Sequence, residues 1–141
     1  MPKLEKLNSI LLIDDDINTS FLNKRIIQRT GITACVKLFP GACEALTFLQ
    51  DAHAGKEVYP QPGIIFLDLN MPVMNGWKFM EQYGKLPEYL RLQTRVVVLS
   101  SSIDIEDTMR AARDSNISRF MSKPLLKEPL MSIIVEYFEA Y

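Results

Sequence analysis

Ile64-Ile65-Phe66-Leu67-Asp68-Leu69-Asn70-Met71-Pro72-Val73-Met74-Asn75-Gly76-Trp77 is the stretch whose reading decides the fold. Four consecutive large apolar residues run straight into a single acid. The run lacks polar–apolar alternation, so it predicts a strand covered on both faces, as in a parallel sheet. Pro72, Asn75 and Gly76 then break the chain before a helical pattern resumes. Asp68 is thereby placed at the carboxyl end of a buried strand, the edge where open α/β sheets keep their sites.

Working outward, Ser9-Ile10-Leu11-Leu12-Ile13 is a second buried run that ends in acids, Asp14, Asp15 and Asp16. It predicts strand 1. A helical pattern follows from Ile17 to about Thr30, with Phe21, Leu22, Ile26 and Ile27 assigned to one side and Gly31 as the stop. Thr33 to Phe39 is expected as strand 2. Ala42, Ala45, Leu46 and Leu49 mark a helix at i, i+3, i+4, i+7. Gly55 to Pro62 is a loop with two prolines. Beyond the opening stretch, a helix from about Asn75 to Tyr83 turns Met80 and Tyr83 inward. Gly84 to Thr94 is a polar connection holding Pro87, with room for an extra helical turn. Arg95-Val96-Val97-Val98-Leu99 is strand 4, ending in Ser100-Ser101-Ser102. Ile105, Met109 and Ala112 form one apolar face of a fourth helix. Ile117 to Met121 is a short strand 5, ending at Ser122-Lys123-Pro124. The last helix carries Leu130, Ile133, Ile134, Tyr137, Phe138 and Tyr141. Strands and helices alternate five times, which predicts a doubly wound parallel sheet with right-handed crossovers.

Composition excludes several classes. The 141 residues suit one domain, expected to span 1–141 with its core from about residue 9 and a short extension over 1–8. A net charge of −1 marks no nucleic-acid or acidic-lipid surface. No run is long enough to span a bilayer, and Met1-Pro2-Lys3-Leu4-Glu5-Lys6 lacks the apolar core of a signal peptide. Cys35 and Cys43 make no disulfide framework and read as small packing residues. A reduced cytoplasmic setting fits.

Strand ends 1, 3, 4 and 5 carry Asp14 and Asp15, Asp68, Ser100, and Lys123. In a parallel sheet these ends share one edge. Three carboxylates brought together repel, and without a cation at least one pKa rises. Magnesium resolves this, because it takes oxygen ligands, including carboxylates, waters and phosphate. An ionised Asp68 can then act as a nucleophile toward phosphorus, giving an aspartyl phosphate. A metal, a lysine and a hydroxyl would meet the charge spread over the transferring oxygens.

Ile13-Asp14-Asp15, Leu67-Asp68-Leu69-Asn70-Met71-Pro72 with Gly76 close behind, Leu99-Ser100 and Lys123-Pro124 together resemble the receiver domain of two-component response regulators. The resemblance runs from about Ser9 to Tyr141. It implies a flavodoxin-like strand order 2-1-3-4-5 with helices on both faces. It implies that Asp68 accepts a phosphoryl group from a sensor histidine kinase or a histidine phosphotransfer protein. Asp15, Asp68 and the main-chain carbonyl of Asn70 would bind Mg2+, and Asp14 would hold a metal-bound water. Ser100 would hydrogen-bond the phosphoryl oxygens, and Lys123 would pair with Asp68 and then with the phosphoryl group. The Lys123–Pro124 bond would be cis. Ser100 and Phe120 would form the switch; many relatives have Tyr at the second position, and Phe lacks its hydroxyl. Asn70 and Ser102 would border the site. A downstream protein partner would read the fourth helix, strand 5 and the last helix. Direct contact with nucleic acid or membrane is not expected, nor is enzyme activity beyond the domain's own phosphorylation and dephosphorylation.

Blander readings compete at each position. Asp14 to Asp16 could only cap the first helix, and Asp16 is expected to do so. Lys123 and Ser100 gain weight only from their joint placement. His53 reads as an exposed residue near a helix end, Met71, Met74 and Met80 as turn and core, and Trp77 as core. A haloacid-dehalogenase-like phosphatase also uses a strand-end Asp, a hydroxyl, a lysine and magnesium, and Asp14-Asp15-Asp16 supplies an Asp-x-Asp. Its nucleophile, however, is the first Asp of strand 1, and an acidic pair follows the lysine. Here only the unpaired Glu128, Glu136 and Glu139 follow Lys123. A phosphorylation-independent binding module is the third reading, although every key position is filled.

Overall fold

The computed structural model describes residues 7–32, 34–53, 62–101 and 104–138. Expectations placed on residues 1–6, Thr33, the loop up to Gln61, Ser102 and Tyr141, and on the side chain of His53, lie outside the described residues. Among the described residues eleven elements follow one another: β1 (Ser9–Ile13), α1 (Ile17–Arg29), β2 (Cys35–Phe39), α2 (Ala42–His53), β3 (Ile64–Asp68), α3 (Gly76–Tyr83), α4 (Glu88–Arg91), β4 (Arg95–Ser100), α5 (Ile105–Arg113), β5 (Ile117–Ser122) and α6 (Lys127–Tyr137). The extra turn in the Gly84–Thr94 connection is α4, so the expected fourth and last helices are α5 and α6.

The five strands are all parallel, in the order β2-β1-β3-β4-β5. Every residue of β1, β3 and β4 is buried, whereas the edge strands are only partly covered. Alternate residues of the central strands feed two cores. Leu11, Ile13, Ile65, Leu67, Val96 and Val98 pack with Ala45 and Leu49 of α2 and Phe79 and Met80 of α3. Ile10, Leu12, Ile64, Phe66, Val97 and Leu99 pack with Ile27 of α1 and Leu130, Ile133 and Ile134 of α6. Two-sided cover is why the strands read as unbroken apolar runs. Each buried Leu, Ile or Phe contributes about 1.5–3 kcal/mol. The second core reaches back to Leu7, which packs beside Gly63 and Phe138.

Three readings need correction. On α1 the inward residues are Ser20, Asn23 and Ile27, with Ile26 partly covered, while Phe21 and Leu22 face solvent at 58% and 61% exposure. At 100° per residue Phe21 and Leu22 lie about 120° and 140° around the helix from Ile27, so the four cannot share a face. On α5 the expected face of Ile105, Met109 and Ala112 is exposed, and Ala111 is the buried residue. The small Ala111 seats the helix, so the apolar stripe stays uncovered. Cys35 and Cys43 are both exposed, because one opens the edge strand β2 and the other lies on the first turn of α2.

The helix ends follow local chemistry. Asp16 caps α1, its Oδ1 accepting from the backbone N–H of Asn18 and Thr19 at 3.0 and 3.3 Å. Those N–H groups hold the Asp16 carboxyl below its usual pKa. Past α1, Gly31 takes φ +80, a conformation that favours glycine. Asn75 caps α3 through the N–H of Lys78.

Candidate functional site

The parallel sheet gathers its carboxyl ends into one site. Asp14 follows β1 directly, its N–H donating to Phe39 of β2 at 3.1 Å. Asp68 is the last residue of β3 and is in register with Leu99 of β4. Ser100, 1% exposed, ends β4 one step further and stands opposite Ser122. Its carbonyl accepts from the Lys123 N–H at 2.8 Å, which fixes the start of the β5–α6 connection. The Lys123–Pro124 bond is cis.

Asp14, Asp15 and Asp68 each offer a carboxylate oxygen within 4.8 Å of the others. Asp14 and Asp68 are buried and Asp15 is exposed. Lys123 Nζ reaches across them, 2.7 Å from Asp14 Oδ2 and 3.4 Å from Asp68 Oδ1. Asp14 Oδ1 also accepts from the Asp16 N–H at 2.9 Å, so both its oxygens are engaged. Asp68 Oδ1 accepts from the Asn70 N–H at 3.3 Å. Among the described residues, Asp68 Oδ2 has no donor. Three acids against one lysine leave the ionised cluster short of positive charge. Burial, then the nearby Asp14 charge, raise the Asp68 pKa against the opposing pull of Lys123. Burial works to lower the Lys123 pKa, but the hydrogen bond and charge of Asp14, followed by Asp68, outweigh it and raise it. An all-oxygen donor set that strains to ionise suits a hard divalent cation.

The loop after β3 is built around this position. The Gly76 N–H donates to Leu69 at 2.9 Å, folding the segment back on the end of the strand. A Cβ on Gly76 would meet the Asp68 carbonyl oxygen at 2.7 Å and Leu69 Cα at 2.8 Å. At the tip, the Met74 N–H donates to Pro72 at 2.9 Å, a three-residue turn with Val73 at φ 69. Positive φ is an outlier for a β-branched residue.

The sequence-derived residues thus divide. Asp14, Asp15, Asp68, the Asn70 backbone and Lys123 come together at the site. The Asn70 side chain is exposed at its rim. Phe120 stands further down β5 opposite Val98, half-buried against the first core and lining a groove of about 290 Å3 between α5 and β5. Asn23 went unnoticed in the sequence. It is 5% exposed and lines a small void of about 10 Å3 with Asp14 and Asp68. Its signal is the polar pair Ser20 and Asn23, seven and four residues ahead of the buried Ile27 and so on the same face of the helix.

With this geometry in place, comparison with known proteins is decisive. The profile of the response regulator receiver domain matches residues 10–135. The chain belongs to that family. A two-component response regulator from Cytophaga hutchinsonii superposes with a TM-score of 0.83 at 30% identity, covering 93% of this chain and 96% of its own. The probable methanogenesis regulatory protein FilR2 of Methanothrix harundinacea is 29% identical over 130 residues, 92% of this chain and 81% of that protein. The response regulator Rcp1 of Synechocystis is 28% identical over 114 residues, 81% of this chain and 75% of that protein. The flavodoxin-like receiver fold, order 2-1-3-4-5, is therefore established, and the acidic cluster is typical of the receiver phosphorylation site. Receiver domains bind Mg2+ at an acidic pocket and interact with histidine kinases and downstream partners. Among the described residues, no helix is long and apolar enough to cross a membrane.

Proposed function

We propose that Asp68 is the phosphoacceptor of this receiver. The reading is carried by one observation, the convergence of Asp14, Asp15 and Asp68 with Lys123 at the carboxyl edge. An Asp68 oxygen attacks the phosphorus of a phosphohistidine on a sensor histidine kinase or histidine phosphotransfer protein. The P–N bond breaks and the imidazole keeps its electron pair. Asp15, Asp68 and the Asn70 carbonyl would hold Mg2+, with Asp14 binding a metal-bound water. The bound ion would supply charge neutralisation of the carboxylates and the transferring oxygens. Asp14 has both oxygens engaged, which suits an outer position. Lys123, freed from Asp68, pairs with the phosphoryl group, and the Ser100 hydroxyl hydrogen-bonds it. Exposed Ile17 and Phe21 on the first turns of α1 offer the donor apolar contact beside the acids.

Output is carried by packing. Phe120 has no hydroxyl to hold it outward, and the groove between α5 and β5 gives its ring room to move. The uncovered Ile105 and Met109 on α5, with β5 and the outward side of α6, form the surface a downstream protein reads. The phosphatase reading requires Asp14 as nucleophile. Asp14 is the carboxylate tied down by Lys123 and the Asp16 N–H, whereas among the described residues Asp68 keeps an oxygen without a donor.

The test is intact mass after incubation with a small phosphoryl donor and Mg2+. The wild type gains one phosphoryl group, which chelator and Asp68→Asn each abolish. Uptake that survives Asp68→Asn and disappears in Asp14→Asn contradicts the reading. A full partner response in Asp68→Asn would instead favour a phosphorylation-independent module.

A further inference from the structure

The amino edge of the sheet, far from the acids, holds a buried cation that receiver chemistry does not use. Arg95 opens β4 and is 5% exposed. Strand alternation places it on the same face as Val97 and Leu99, under α6, where its guanidinium lies 5.1 Å from the centre of the Tyr137 ring. Arginine cannot shed its charge, so a buried guanidinium normally has a carboxylate or several carbonyls around it. Arg95 has neither among the described residues. Its Nε is buried with no hydrogen-bond partner, and no acid pairs with it. Stacking on one aromatic ring does not satisfy a planar fork of five donors.

A cleft of about 250 Å3 opens beside it, lined by Arg91, Arg95, Ser115, Asn116, Ser118 and Tyr137 among others, with no acidic side chain among the described residues of its wall. The second guanidinium is held in place. Arg91 Nε donates to the Leu86 carbonyl at 2.8 Å and Nη1 to Asn116 Oδ1 at 2.9 Å. The Tyr137 hydroxyl is turned to the Ser118 carbonyl at 3.4 Å. Two permanent cations, one of them short of acceptors, beside serine hydroxyls in a cleft whose described lining holds no acid, have the chemistry of an oxyanion receptor. We propose that this cleft binds the phosphate or carboxylate group of a small anionic ligand. Arg95 and Ser100 stand at opposite ends of β4, about 16 Å apart at strand rise, so this site is separate from the phosphoacceptor.

The test follows the side-chain N–H signals of the arginines by two-dimensional NMR on the intact protein, with chelator present to keep the acidic site out of play. Inorganic phosphate and acetate are titrated separately at ionic strength fixed with chloride. The Arg95 Nε–H signal, assigned by its loss in Arg95→Lys, should move along a saturable curve with a midpoint of about 1 mM. Amides of Ser115 to Ser118 should follow the same curve, and Arg91→Gln should weaken it about tenfold. The tighter of the two probes identifies a phosphoryl or a carboxylate ligand. If Arg95→Lys does not fold, the wild-type signal and Arg91→Gln decide. Shifts that stay linear and match those given by chloride overturn the proposal. So does saturable binding that both variants leave unchanged.

Discussion

Lys123 sits closer to Asp14 than to Asp68, 2.7 Å against 3.4 Å, although the resemblance to receiver domains implies Asp68 as its partner. Its ammonium is therefore the counter-charge that lets two buried carboxylates coexist without metal. Lys123→Met leaves them facing each other unpaired. In chelator this variant should lose about 2 kcal/mol of stability, less than a fully buried pair would cost because the lysine keeps some contact with water. Mg2+ should stabilise the variant more than the wild type, measured by urea unfolding with and without the ion. The Lys123 pKa is raised in the fold, so its contribution is complete below the ordinary lysine value of 10.5 and is lost as pH rises through the higher folded value. The gap between wild type and variant should therefore hold at neutral pH and close only in strong alkali.

Asp68 shows the opposite linkage to an ordinary ion-paired acid. Its pKa is raised by burial and by Asp14, so the folded state binds its proton more tightly than the unfolded chain. Ionising it costs stability as pH rises through the carboxylate range. Asp68→Asn should accordingly stabilise the metal-free protein at pH 7 by about 1 kcal/mol, roughly 3–5 °C in Tm. The gain should vanish below about pH 3, where Asp68 is protonated in both states. Added Mg2+ should raise the wild-type Tm and have little effect on the variant. Scanning calorimetry across pH, with and without the ion, checks all three.

Gly76 has backbone, not a flexible side chain, against its missing Cβ. Gly76→Ala must push the loop away from the Asp68 carbonyl. A loss of about 1–3 kcal/mol is expected from overpacking. Phosphoryl uptake should slow more than the stability loss explains, because the displaced backbone carries the Asn70 carbonyl. Comparing uptake rates at a temperature where both proteins are fully folded separates the two effects.

Val73 is fully exposed and holds φ 69, so it contributes strain and no packing. Val73→Asn places there a residue that tolerates positive φ. It should stabilise the protein by about 1 kcal/mol, read as a shift in denaturant midpoint with an unchanged slope.

How much of this was legible follows from what each residue is buried against. Ile10 to Ile13, Ile64 to Leu67 and Val96 to Leu99 have helices on both sides, so apolar character had to be continuous and the strands could be read directly. The acids, Ser100 and Lys123 stand where those runs stop, and parallel topology collects such positions on one edge. Helix faces were less legible. Phe21 and Leu22 are apolar but outward, and Ile105 and Met109 likewise, and apolar character alone does not say which side of a helix is covered. Ser20 and Asn23 are polar but inward, Asn23 beside Asp14 and Asp68, where hydrophobicity alone cannot find them. Arg95 was hidden for a similar reason: a charged residue opening an apolar run reads as the exposed end of a strand, yet here it is buried, with the Tyr137 ring over its guanidinium.

The central claim is that Asp68, and no other carboxylate of the cluster, carries the phosphoryl group. Reduction of the phosphorylated protein with borohydride converts an acyl phosphate to the corresponding alcohol, which marks the modified residue permanently for peptide mass spectrometry. The account predicts one reduced residue, Asp68, with Asp14 and Asp15 unaltered. A mark on Asp14 would contradict it and place the nucleophile on β1, as in the phosphatase reading.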